Sequence, residues 1–146
     1  MEAISRDHIR LEVHNFWESF TGKSKNRFEQ VYSPTATCFA LDGRRSEPAR
    51  LMWVRRGREF FGPMSAVGAK LGVINVQLLC PELAVASYPL HFTVVRTMSN
   101  GRHIQSDIPF GRATQVFQRD ESGALRIIHE HLSSAEPVSS KELPKE

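Results

Sequence analysis

From residue 71 to residue 134 the hydrophobic period of this chain is that of β-strands, and short turn signals cut the run into segments. "LGVINVQLLC" (71–80), "LAVASYPLHFTVVRTM" (83–98), "HIQSDIPFGRATQVFQRD" (103–120) and "ALRIIHEHLSS" (124–134) are separated by Pro81-Glu82, Ser99-Asn100-Gly101 and Glu121-Ser122-Gly123. Turns this short join antiparallel neighbours, because a parallel crossover needs a dozen or more residues. Nearly half the chain is therefore an antiparallel meander. Pro89, Pro109 and Gly111 fall inside the long strands, where they read as a bulge or edge position and as a bend. A sheet interrupted in this way curls sharply.

The first half has the helical period. Ile9, Val13, Phe16, Trp17 and Phe20 form one apolar stripe, which predicts a helix over 5–21 with Ser5 as N-cap and Gly22 after its end. A short helix is expected at 24–31, a strand at 35–41 and a helix at 46–62, stopped by Gly62-Pro63. Helices first and strands after make an α+β domain, with helices packed on one face of a curved sheet. One domain is expected over 1–135 and a disordered Pro/Ser/Lys/Glu tail over 136–146.

Composition narrows the function classes. The chain has 146 residues, 40% hydrophobic and 24% charged, which is enough for one core without staples. Cys38 and Cys80 are far apart, so neither a disulfide framework nor a cysteine zinc site is expected, and both read as buried thiols. No run approaches a membrane span and no signal-peptide layout opens the chain, so a cytoplasmic protein with no membrane partner is the expectation. A net charge of +3 is too mild to imply nucleic acid. The arginines at 44, 45, 50, 55, 56 and 58 are interrupted by Glu47 and Glu59 and read as a solvated helix face, except Arg50, which falls on the apolar side near the helix start. No phosphate loop, nucleophile elbow or kinase motif is present, and no cofactor is expected.

Two quoted stretches carry a family resemblance: "VYSPTATCFALDG" (31–43) and "GRATQVFQRDESGALRIIHEHLSS" (111–134), with the meander between them. Together they resemble the SnoaL-like, ketosteroid isomerase-like branch of the nuclear transport factor 2-like superfamily. The closing hairpin is also similar to the association domain of calcium/calmodulin-dependent protein kinase. The resemblance implies a cone, a strongly bent antiparallel sheet wrapped around N-terminal helices with an apolar pocket between them. It further implies a homodimer formed through the open sheet face. The superfamily hosts isomerases, cyclases, dehydratases, epoxide hydrolases and non-catalytic hubs, so fold alone leaves function open. Ketosteroid isomerase-like chemistry needs a carboxylate base after the turn into the first strand, and here Ala40 or a close neighbour stands there.

The candidate residues follow from strand parity. Alternation puts Leu125, Ile127, His129 and His131 on one face, beside Arg112 and Thr114 of the preceding strand. The His-x-His pair reads as fold-building polar residues by default. Acid/base or ligand-binding work is the alternative, and a metal site is not expected for want of a third ligand. The acid/base set is Asp107, Arg112, His129 and His131. The ligand-binding set is Phe16, Trp17, Phe20, Tyr32, Arg50, Trp53, Phe60 and Thr114, with Arg50 placed to meet an acidic group. The expected function is binding of a small hydrophobic or weakly acidic molecule, with cofactor-free isomerase, cyclase or dehydratase-type chemistry; turnover itself is left open. The alternative is a non-catalytic oligomerisation or ligand-sensing module.

Overall fold

The structure is a computed structural model that describes residues 2–22, 29–39, 45–53, 65–108 and 111–133. The expected helix at 24–31, the second half of the 46–62 helix with Phe60, and the tail lie largely or wholly outside the described residues. Helix α1 (Arg6–Thr21) starts where the capping pattern put it, with Ser5 Oγ accepting from the His8 amide at 3.1 Å. A cap of this kind contributes about 1 kcal/mol. Its stripe Ile9, Val13, Phe16, Trp17 and Phe20 is buried to the last residue.

Eight strands follow among the described residues: β1 (Tyr32–Phe39), β2 (Glu47–Pro48), β3 (Ser65–Leu71), β4 (Asn75–Cys80), β5 (Leu83–Thr97), β6 (His103–Ile108), β7 (Arg112–Arg119) and β8 (Leu125–Ser133). They form one curled sheet in the order β2-β1-β8-β7-β5-β3, with β4 and β6 also on β5. The result is an α+β half-barrel with α1 against its inner face. One pairing is parallel, β1 on β8, so the sheet is mixed rather than wholly antiparallel.

Strand β5 organises the curl. Its first half pairs with β4 and β7, and its second half pairs with β3 and β6. Pro89 sits at the changeover. It has no N–H to give, but its carbonyl accepts from Gly72 at 2.9 Å. Gly72 is needed there, because a Cβ would stand 2.7 Å from Pro89 Cγ. The break at 72–74 divides what the sequence reads as one strand over 71–80 into the end of β3 and the whole of β4. The tight turns are as the sequence reads them, with Gly101 at φ 81° and Gly123 at φ 89°.

Two corrections bear on the site. Cys80 is exposed, while Cys38 is buried. The parity of β8 also changes along its length. Phe117 pairs with Ile127 but Val116 pairs with His129, so Ile128 is an extra residue in a β-bulge. Ile127 therefore faces inward with Glu130 and Leu132, not outward with His129 and His131.

Candidate functional site

Strand register lays the inner face out in rows. Val76, Ala86, Gln115, Glu130 and Cys38 stand side by side across β4, β5, β7, β8 and β1. The next row includes Tyr88, Ala113 and Leu132. Alanines at 84, 86 and 113 leave room for the large rings that α1 presses down. Phe16 meets Trp17 and Tyr32 edge-on, at 4.9 and 5.6 Å between ring centroids. Phe20 bridges Trp17 and Trp53, at 5.5 and 5.4 Å. Each such pair adds about 0.5–1.5 kcal/mol beyond its buried area.

Inside this aromatic shell runs a buried hydrogen-bonded chain. Trp17 Nε1 donates to the Tyr88 hydroxyl at 2.7 Å, and Tyr88 donates to Gln115 Oε1 at 2.7 Å. Gln115 Nε2 donates to Glu130 Oε2 at 2.6 Å. From the other side Trp53 Nε1 donates to the Tyr32 hydroxyl at 2.7 Å, and Tyr32 donates to Glu130 Oε1 at 2.8 Å. Gln115 and Glu130 are fully buried.

The direction of every bond in the chain is set by its ends. An indole N–H can only donate. Tyr88 must therefore accept from Trp17 and pass its own hydrogen on, which fixes the Gln115 amide with oxygen toward Tyr88 and nitrogen toward Glu130. The same logic runs from Trp53 through Tyr32. Both lines of donors converge on Glu130, with Tyr32 on Oε1 and Gln115 on Oε2. The wiring is complete for a carboxylate. Burial opposes it: removal from water pushes the Glu130 carboxyl above its ordinary range, against the donors Gln115, Tyr32 and Trp53, which pull it down. Burial, and then the charge of Glu130 beside Tyr32, hold the Tyr32 phenol well above its ordinary value. Burial does the same for Tyr88. Both tyrosines are therefore neutral at physiological pH.

Arg50, half-buried in the helical turn at 49–53, donates from Nη2 to the Tyr32 carbonyl at 2.7 Å. Its Nε is buried and has no hydrogen-bond partner among the described residues. A cleft of about 270 Å³ opens beside the chain, lined by His14, Trp17, Glu18 and Thr21 of α1 and by Ala69 and Leu71 of β3. Trp17 is its link to the buried network.

The structure thus brings Phe16, Trp17, Phe20, Tyr32 and Trp53 together, with Arg50 against the main chain of Tyr32. Arg112, Thr114, His129 and His131 come together as strand pairing expects, but on the opposite face of the sheet. There His129 Nδ1 and Thr37 Oγ1 are 2.9 Å apart, and the Phe39 ring lies 6.0 Å from His129 and 5.8 Å from His131. Asp107 pairs with Thr93 on the β5–β6 arm, and its side chain is not among those described. Phe60 lies outside the described residues. Sequence reasoning missed Tyr88, Gln115 and Glu130. The available signal was a polar residue between inward apolar ones, Gln115 between Ala113 and Phe117. Among the described residues no group of three or more His, Cys, Asp or Glu side chains could hold a metal ion. No described helix is long and apolar enough to cross a membrane.

No family model and no curated protein matches the chain. Solved structures do. A nuclear transport factor 2-like superfamily protein from Salmonella enterica is similar at TM-score 0.68 and 21% identity, over 96% of this chain and 100% of that one. The association domain of calcium/calmodulin-dependent protein kinase II from C. elegans is similar at TM-score 0.61 and 16% identity, over 88% and 94%. The beta subunit of benzoate 1,2-dioxygenase from Burkholderia mallei is similar at TM-score 0.70 and 10% identity, over 98% and 100%. At these identities the likeness is one of fold, and the fold is the nuclear transport factor 2-like cone.

Proposed function

We propose that this chain, built on the nuclear transport factor 2-like fold, binds a small organic molecule against the α1 side of its cone and uses Glu130 as the acid/base group. The observation that carries the reading is the buried Glu130 carboxyl, which receives hydrogens from Tyr32 and Gln115, with Trp53 donating to Tyr32 behind it. A carboxyl buried in this way is costly, and a carboxyl held above its ordinary range by burial suits general acid/base chemistry. The cleft beside Trp17 is the proposed entrance.

A thermal-shift screen of small organic compounds, followed by NMR mapping of the hits, tests this. Hits are expected to perturb Trp17, Tyr88 and Gln115. Turnover of a hit is expected to vanish in Glu130→Gln while binding persists. Hits confined to the outer sheet face, or equal turnover by the Gln variant, would refute the reading.

A second reading is supported by a separate observation. On the outer face, Gln77, Val85, Val116, His129 and Thr37 form one row, and Asn75, Ser87, Thr114, His131 and Phe39 form the next. None of these ten positions carries Asp, Glu, Lys or Arg, in a chain that is 24% charged. Such a surface suits a second copy of the chain. On this reading the His129, His131, Arg112 and Thr114 cluster serves assembly. Light scattering on a sizing column checks it, with a dimer expected and a monomer at all concentrations refuting it.

A further inference from the structure

We infer that pairing of two copies through the outer sheet face is gated by pH, with His129 and His131 as the switch: the chains pair while these imidazoles are neutral and separate as they take up protons. This rests on the second reading above, a dimer through the outer face, and specifies its regulation.

The first ground is the make-up of the face. Of the ten outward positions in its two rows, His129 and His131 are the two that titrate. Histidine changes charge between about pH 5 and 8. A second copy seated on these rows therefore meets neutral imidazoles above that range and cations below it. A two-fold contact doubles their number. His129 is half-buried and His131 exposed in the single chain, so both lose water when the face is covered. A charge covered without a partner of opposite sign is costly.

The second ground is what stands around the two rings. On β1, Thr37 Oγ1 is 2.9 Å from His129 Nδ1, and the Phe39 ring lies 6.0 Å from His129 and 5.8 Å from His131; neither residue titrates. On β7 the charged neighbour is the exposed Arg112, two residues from Thr114, the partner of His131, and its sign opposes a second cation. On β5 the outward residues in these rows are Val85 and Ser87. His91, with Lys70 opposite it on β3, stands farther along that face, and Asp107, opposite Thr93, farther still. At the other end Asp120 is taken up by Arg126 at 3.2 Å and by Ser122 and Ala124 of its own turn. Glu130, between the two histidines in sequence, faces the interior. Among the described residues no carboxylate shares either row with the imidazoles.

The sign follows from linkage. Thr37 and Phe39 act on the rings in the single chain and in the pair alike, so they drop out of the difference. What pairing changes is the loss of water with no opposite charge to replace it. The pair holds fewer protons than two separate chains, and pairing weakens as pH falls.

Sedimentation velocity of the whole chain over a concentration series tests this, at about pH 8 and about pH 5.5, with far-UV circular dichroism at each pH to show that the fold is kept. The dimer Kd is expected to rise by at least about a hundredfold on acidification, as several imidazoles protonate only in the separated chains. In the double variant His129→Gln/His131→Gln the rise should shrink to less than about threefold. His131→Gln alone, an exposed change that leaves the His129–Thr37 contact, should remove about half of the wild-type rise on a logarithmic scale. A wild-type dimer as tight at the lower pH as at the higher, or tighter, overturns the inference and leaves the outer-face dimer standing. A rise undiminished in both variants places the protons elsewhere and also overturns it. A monomer at every pH and concentration sinks both this inference and the dimer reading beneath it.

Discussion

Replacing Glu130 with glutamine is the sharpest probe of the buried chain, because the two side chains differ in one hydrogen and one charge. An ionised Glu130 accepts from both Tyr32 and Gln115. Glutamine brings its own N–H₂, and the indole at each end prevents the chain from reversing to receive it. The cheapest arrangement turns the new amide toward the Tyr32 oxygen and leaves the Tyr32 hydrogen without an acceptor, at a cost of about 1–3 kcal/mol. A protonated Glu130 suffers the same conflict, so near pH 4 the two proteins should be equally stable. The carboxyl is raised in the fold above its ordinary value of 4.5 by burial, so the folded state holds the proton longer than the unfolded chain. Stability of the wild type is then full below that ordinary value and falls as pH rises through the folded pKa. The slope is up to about 1.4 kcal/mol per pH unit within that window. The glutamine variant has no such loss. The difference should therefore open in favour of Glu130→Gln as pH rises from 4.5. Urea unfolding from pH 4 to 8 measures it, read by fluorescence of Trp17 and Trp53, the two tryptophans of the chain. If the wild type instead gains on the variant over that interval, the donors outweigh burial and the carboxyl is held down rather than up.

Tyr88→Phe strands the Trp17 N–H and the Gln115 oxygen together, and should cost about 2–4 kcal/mol in the same unfolding assay. A loss under about 0.5 kcal/mol would mean the bonds are not formed. Gly72→Ala sets a methyl 2.7 Å from the Pro89 ring, and should cost about 1–3 kcal/mol by thermal unfolding. A neutral result would show that the β3–β5 bend yields. Gly123→Ala forces a side chain onto φ 89°, and should cost about 1 kcal/mol in the thermal midpoint with binding intact. Val116→Arg places a charge in the uncharged outer rows and should convert a dimer to a monomer by light scattering. Retention of the dimer would move the interface elsewhere.

Periodicity carried the elements well, and the reason is local. The α1 stripe, the Ser5 cap and the turns at Gly101 and Gly123 are each written in a few adjacent residues. The parallel pairing of β1 with β8 is not, since Cys38 and Glu130 meet across most of the chain's length. Nor is the β3–β4 break, because what Gly72 avoids is Pro89.

The site was half legible for the same reason. Aromatic residues on α1, at the start of β1 and in the helical turn at 49–53 placed Trp17, Tyr32 and Trp53 near one another, as large apolar side chains facing one core must be. Their common partner stayed hidden in "HEH". Strict alternation from Ile127 sends His129 inward and Glu130 out, and one bulged residue, Ile128, reverses that assignment. A charged residue flanked by two histidines resembles an exposed strand face until the bulge is known. Once Glu130 is turned inward, the rest follows from chemistry. A buried carboxylate needs donors, Gln115 is its strand neighbour on β7, and the tyrosines pass on what the indoles begin. Faces can be read from sequence alone only where the ladder is regular, and this chain keeps its most chemically consequential side chain two residues past the place where the ladder is not.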